Sequence, residues 1–174
     1  MGQKVHPLGF RLVTTQKHHS VWFSEFANYP NFLEEDSLIR EYLEKRSVEA
    51  GISRIEIKRN GIGNKIEVEI YSARPGILVG NSGNSLSEIY KNLRKIISQE
   101  KFSIKNTSLK KTIVLNIIEL TTPDAEAALI GDFIVSQLEK RVAFRRAIRQ
   151  AIKRTQVAKV AGIKVQISGR LNGA

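Results

Sequence analysis

The stretch that decides the fold is Ala73-Arg74-Pro75-Gly76-Ile77-Leu78-Val79-Gly80-Asn81-Ser82-Gly83-Asn84-Ser85-Leu86-Ser87-Glu88. Pro75-Gly76 opens a new element, and Ile77, Leu78 and Val79 give it one short apolar turn. Gly80-Asn81-Ser82-Gly83 follows, two glycines around two small polar residues. Ser85 with Glu88 has the spacing of a capping box. Leu86, Ile89, Tyr90, Leu93, Ile96 and Ile97 then keep helical spacing to about Gln99. Glycine lets a backbone approach phosphate without interference from a Cβ. The free N–H groups of the following helix face any anion placed there. A Gly-x-x-Gly loop also serves as an ordinary helix–helix turn, so its surroundings must discriminate.

Working outward, Asp36 is placed to cap a helix running to about Ala50, with Leu38, Ile39, Tyr42 and Leu43 as its apolar stripe. Gly51 stops it. Arg54 to Arg59 alternates, with Ile55 and Ile57 on one face. Asn60-Gly61-Ile62-Gly63-Asn64 is a turn signal. Lys65 to Tyr71 alternates again through Ile66, Val68 and Ile70, so the two strands read as a hairpin. Thr112 to Leu120 reads as a buried strand. The order is helix, strand, strand, short helix, Gly-x-x-Gly, helix, strand, which is that of a type II KH domain. In such domains the loop clamps the sugar–phosphate backbone of about four nucleotides. Gly80, Asn81, Ser82 and Gly83 are therefore candidate RNA contacts.

Thr121-Thr122-Pro123 marks a boundary. Thr122 is placed to cap, Pro123 suits the first helical position, and Asp124 and Glu126 favour a helix N-terminus. That helix is expected to reach about Arg141, and a second one about Ala158. Gly162 to Ser168 alternates, with Ile163, Val165 and Ile167 expected inward. One strand does not stand alone, so this half reads as incomplete. The expected fold class is α+β: an N-terminal arm over 1–35, a type II KH domain over 36–120, and a partial second α/β domain over 121–174. The arm shows no lasting period. Phe10, Trp22, Phe23 and Phe26 distinguish it from a disordered tail, and it reads as a segment laid on something else.

The formal net charge is +11 with a pI near 10.0. Such a surplus attracts a polyanion. No helix pairs a basic face with exposed Trp, Phe and Leu, so nucleic acid is favoured over a membrane. The cations concentrate on a helix carrying Arg141, Arg145, Arg146, Arg149, Lys153 and Arg154. Arg141, Arg145, Arg149 and Lys153 stand four apart, as one stripe. No acidic residue occurs from Lys140 to Ala174. A soluble face normally mixes signs, whereas this one repels itself until a polyanion arrives. Arginine also forks onto phosphate and stacks on unpaired bases.

Other chemistries find little support. There is no cysteine, hence no disulfide and no thiolate metal site. His6, His18 and His19 allow a metal site on spacing alone, but His18 and His19 are adjacent rather than on one helix face and no carboxylate is paired with them nearby, so RNA or solvent contact is expected for them, with no metal and no cofactor. No phosphate-binding Gly-x-x-x-x-Gly-Lys-Ser/Thr motif and no hydrolase fingerprint occurs, so no catalytic residues are expected. No apolar run is long enough to span a membrane. The N-terminus lacks a secretory or transit pattern, so the protein is expected to work in the compartment where it is made, or to have been processed already.

Four blocks carry a resemblance. Gly2-Gln3-Lys4-Val5-His6-Pro7-Leu8-Gly9-Phe10-Arg11-Leu12 resembles the opening of the family of the third protein of the small ribosomal subunit, in its bacterial and plastid forms. Ala73 to Gly80 resembles the entrance to that family's KH loop. Ser136 to Ala147 and Gly162 to Leu171 resemble its second domain. The resemblance implies a structural constituent of the subunit head, not an enzyme, with small-subunit ribosomal RNA, messenger RNA and neighbouring head proteins as partners. It implies that the chain lines the path by which messenger RNA enters, with Arg145, Arg146 and Arg149 gripping the incoming strand. It implies RNA contacts for Lys4, His6 and Arg11 of the arm. Thr14 to Phe23 resembles plastid members, so a plastid ribosome is expected, with the bacterial cytoplasm as the alternative. Three departures stand out. Asn81-Ser82 are neutral where the bacterial loop carries lysines, Val13 stands where the family has glycine, and the family's further C-terminal strands do not follow Ala174. A free KH-type assembly factor or RNA chaperone is the rival reading, and an RNA-processing enzyme a more distant one.

Overall fold

The computed structural model describes residues 2–45, 47–60, 65–80, 83–97 and 111–170. The order is α1 (Pro7–Arg11), β1 (Ser20–Val21), α2 (Tyr29–Glu44), α3 (Ser47–Ala50), β2 (Ile52–Arg59), β3 (Lys65–Ser72), α4 (Pro75–Val79), α5 (Asn84–Ile97) and β4 (Thr112–Glu119). A 3-10 turn at Pro123–Ala125, α6 (Ala127–Glu139) and α7 (Phe144–Val157) complete it. The sheet runs β1-β2-β3-β4. β2 and β3 are antiparallel, from Arg59 opposite Ile66 to Ile52 opposite Ser72. β3 and β4 are parallel, from Lys65 opposite Thr112 to Ser72 opposite Glu119. Parallel neighbours need a crossover, and α4 and α5 lie within it. The expected turn at 61–64 lies outside the described residues. Asn60 closes the strand end nevertheless, its N–H donating to the Lys65 carbonyl at 3.3 Å and its side-chain oxygen accepting from the Lys65 N–H at 3.1 Å.

The alternating strands put Ile55, Ile57, Ile66, Val68 and Ile70 on one buried face. Ile39 and Leu43 from α2, and Ile89, Leu93 and Ile97 from α5, cover that face. Each such side chain contributes about 1.5–3 kcal/mol on full burial. Asn92 of α5 donates to the Tyr42 hydroxyl of α2 at 3.0 Å, so the two helices are also joined by a polar contact. A second, smaller core gathers Ile130, Ile134 and Ala151, with Phe133, Leu138, Val165 and Ile167 against them. The halves meet where β2 shifts register between Ile52 and Arg54. There the Ser53 hydroxyl donates to Glu126 at 2.9 Å, and Arg54 lies 3.5 Å from the same carboxylate.

Several expected boundaries move. The first long helix begins at Tyr29, so Asp36 lies inside it and is buried rather than capping it. α5 begins at Asn84, which puts Ser85 in its first turn and not at its cap. Of the apolar residues of β4, only Ile113 is fully buried. Thr122 makes no side-chain cap, Pro123 opens a 3-10 turn, and α6 starts only at Ala127. Glu126, just before it, is drawn to Ser53 and Arg54 instead of joining the helix. Residues 162–168 adopt no regular secondary structure and pair with no strand among the described residues, and Ile163 is exposed while Val165 and Ile167 pack against the second core. A strand needs a partner's backbone, and periodicity alone does not supply one.

The arm is more ordered than its sequence suggests. Two residues of it, β1, pair in parallel with Ile57 and Lys58 of β2. Val13 has φ +74°. That left-handed conformation costs a β-branched residue roughly 1–3 kcal/mol. Here a structural demand for glycine is met by valine. Val13→Gly is expected to raise stability by about 1 kcal/mol, or ~2–4 °C in Tm. A thermal unfolding curve that is unmoved or shifted downward would show that the turn is not strained.

Candidate nucleic-acid interface

Gly80 closes α4, its N–H donating to the Gly76 carbonyl at 2.9 Å. Its backbone lies at φ +69°, ψ 179°, a region essentially restricted to glycine. A Cβ there would also sit 2.7 Å from the Ser85 Cβ. Gly83 has φ +76° but open space around its Cα. The two glycines are therefore not equivalent, one being fixed by both torsion and packing and the other by torsion alone. Gly80→Ala is expected to cost about 1–3 kcal/mol through its torsion, and more through the clash. Gly83→Ala is expected to cost about 1 kcal/mol. Equal losses in urea titrations of the two variants would refute that ranking. Asn81 and Ser82 lie outside the described residues. No acidic residue occupies the first turn of α5, so its terminal N–H groups meet no competing charge there.

The basic helix is shorter than its charge run. α7 begins at Phe144, which leaves Arg141 in the preceding turn at φ +58°. The Arg141 N–H donates to Leu138 at 2.9 Å, and the Val142 N–H to Gln137 at 3.0 Å. This is a Schellman closure of α6 with arginine where glycine is usual. α7 ends the same way, with Lys159 at φ +56° and its N–H donating to Gln156 at 3.0 Å. The expected stripe of four thus reduces to Arg145, Arg149 and Lys153, with Arg146 beside them. All four are exposed. Arg154 lies apart: its guanidinium covers the Phe133 ring at 4.2 Å and stands 4.0 Å from Asp124. It fastens α7 to α6. Ala147, Ala151 and Thr155 form the buried side of α7. The Arg145 guanidinium lies 5.8 Å from the neighbouring Phe144 ring, and Arg145, Arg146, Arg149 and Lys153 form no ion pair among the described residues. From Lys140 to Ala174 the sequence has ten cations and no carboxylate.

The arm residues are dispersed. Lys4 and His6 are exposed, and Arg11 donates back to the Pro7 carbonyl at 3.1 Å within α1. His19 is held below its ordinary pKa by burial and then by Arg40, so it is neutral near pH 7. No group of three or more metal-binding side chains gathers among the described residues.

A buried charge cluster at the Arg59 end of the sheet escapes the local sequence patterns. Arg59, fully buried, donates to Glu35 at 2.6 Å and to Asp36 at 3.1 Å through its Nε. Lys111, just before β4, pairs with the other Glu35 oxygen. The Trp22 indole donates to Asp36 at 2.7 Å and packs edge-on against Phe32. One cluster therefore ties the arm, α2, β2 and β4 together.

The element order, the Gly-x-x-Gly loop between α4 and α5 and the open basic face of α7 define an RNA-binding protein of the KH class. Residues 38–125 match the KH domain model, and residues 134–174 match the model described as ribosomal protein S3, C-terminal domain. The small ribosomal subunit protein uS3c of Guillardia theta is 53% identical over all 174 residues, which cover 75% of that relative. The uS3c of Cyanophora paradoxa is 50% identical over the same span, 74% of its length. The cyanobacterial uS3 of Thermosynechococcus vestitus is 45% identical, with 68% of its length covered. The chain belongs to the ribosomal protein S3 family. It is accordingly a structural ribosomal constituent with a KH domain, and not an enzyme.

Proposed function

We propose that this protein sits in the head of the small subunit of a plastid ribosome, where α7 faces the path by which messenger RNA enters. The observation that carries this reading is the exposed face of Arg145, Arg146, Arg149 and Lys153, which forms no ion pair among the described residues. A fixed cationic rim holds single strands through phosphate attraction and stacking, and needs no nucleotide hydrolysis. Arg141 adds charge at the start of this rim. The Gly80–Gly83 loop takes ribosomal RNA through backbone N–H groups, since Asn81 and Ser82 supply no charge. Lys4, His6 and Arg11 contact ribosomal RNA from the arm. The plastid assignment rests on the algal relatives, with the bacterial cytoplasm as the alternative.

A message carrying 4-thiouridine downstream of the decoded codon, bound to small subunits and irradiated, tests the reading. The expected adduct maps to a peptide within residues 144–153. Adducts that avoid this segment overturn the messenger role while leaving ribosomal RNA binding intact.

A further inference from the structure

A shallow cleft of about 450 Å³ opens beside the α7 stripe, where the 3-10 turn, α6 and α7 meet. Asp124 of the turn, Phe133 of α6, and Gln150, Lys153, Arg154 and Val157 of α7 line it. The Arg154 guanidinium covers the Phe133 ring at 4.2 Å, yet 47% of the Arg154 side chain is exposed, so it is not sealed beneath the ring. Val157 adds an apolar wall that is 75% exposed. Lys153 belongs both to the cleft and to the stripe it forms with Arg145 and Arg149.

Asp124 is out of place here. It is the one acid lining a cleft on a face that otherwise attracts phosphate, and it weakens that attraction. The fold gives it little in return. The Arg154 Nε stands 4.0 Å away, beyond hydrogen-bond reach. No hydrogen bond reaches the Asp124 or Gln150 side chain among the described residues, although both are half-buried.

This mixture excludes simple occupants. A bare phosphate is drawn by Lys153 and Arg154 but repelled by Asp124. A cationic side chain meets the reverse. An unpaired nucleotide suits every part, with its phosphate at Lys153, its base face on Arg154 and donors of its base edge at Asp124. Unpaired RNA bases are read in this manner, by stacking on aromatic or guanidinium planes and by bonds to the base edge. The carboxylate then selects the base, because it only accepts, through two oxygens. Guanine presents N1–H and the N2 amine side by side, one donor for each oxygen. Adenine and cytosine place an acceptor nitrogen next to their amine, and uracil flanks its one N–H with two carbonyls.

We infer that this cleft is a guanine pocket, taking one unpaired guanosine of an RNA strand that lies along α7, with the base on Arg154 and its Watson–Crick edge on Asp124. The inference rests on the reading of α7 as an RNA face, and its test separates the two. The guanosine belongs either to the message or to ribosomal RNA, and the second arm of the test distinguishes them.

Filter binding of the full chain compares short oligouridine with the same strand carrying one central guanosine or inosine. The guanosine strand is expected to bind about tenfold more tightly than oligouridine, as one bidentate base contact provides. Inosine, which lacks the N2 amine, is expected to fall between them. Asp124→Asn is expected to abolish the preference while binding oligouridine as tightly as before or more so, since it removes a repulsive charge. A merely structural role for Asp124 would move all strands alike, and that result overturns the pocket. Equal affinities for guanosine and uridine strands, with salt-dependent binding retained, overturn the pocket and leave α7 as an RNA face. Absence of salt-dependent binding to any strand overturns both. The second arm applies kethoxal, which attacks guanine at N1 and N2, to small subunits carrying message. One guanine is expected to be protected in unaltered particles and reactive with Asp124→Asn, and the strand that holds it identifies the source. No such guanine on either strand overturns the pocket.

Discussion

Arg59→Met is expected to lower the unfolding free energy by about 3–5 kcal/mol, because it strands buried carboxylates. The guanidinium contacts Glu35, Asp36 and the Phe32 carbonyl with no solvent access. Methionine keeps much of the volume and removes every donor. Glu35 would retain Lys111, and Asp36 would retain the Trp22 N–H, but neither carboxylate would be fully compensated. For a chain of this size the loss corresponds to a fall in Tm on the order of 10 °C. Trp22→Phe removes only the indole donor, with an expected cost of about 1 kcal/mol. A fall below about 1 kcal/mol for Arg59→Met, measured by urea unfolding, would show that water reaches the cluster and that the ion pairs contribute little.

The second large effect concerns binding. The combined change Arg145→Ala, Arg146→Ala and Arg149→Ala removes three exposed cations from a helix whose buried side is Ala147, Ala151 and Thr155. Stability should hardly change. If each arginine neutralises one phosphate of a single strand, the slope of log affinity against log salt should become shallower by about 2. Over a fourfold rise in salt, the loss of affinity would then shrink by roughly 20-fold. Arg154→Ala serves as the contrast. Its guanidinium is occupied by Phe133 and Asp124, so its removal should loosen the packing of α7 on α6 and leave the slope almost unchanged. Equal slopes for the triple variant and the unaltered chain would remove α7 from the RNA interface.

The KH order was legible because two independent periods, alternation in β2 and β3 and helical spacing in α5, flank a loop that needs glycine. The chemistry of α7 was legible because a long acid-free run leaves few other readings. What escaped depends on partners distant in sequence. Asp36 resembles a cap when read locally, and only Arg59 across the fold turns it into a buried anion. One signal was available: Glu35 and Asp36 share the helix face of Phe32, Ile39 and Leu43, so carboxylates lie on an apolar stripe. β1 is two residues long and too short to show a period. The 162–168 alternation had the right period without a pairing partner. Arg141 was assigned to the helix by spacing, since a left-handed arginine leaves no mark in composition.

The chain contains a single tryptophan, and its N–H rests on a carboxylate that the buried guanidinium also holds. The molecule thus carries its own optical gauge. Detachment of the first two dozen residues, or rupture of the ionic knot beneath them, would reach the same indole and change the colour and yield of its light. Assembly onto a particle can therefore be followed in real time with no label attached.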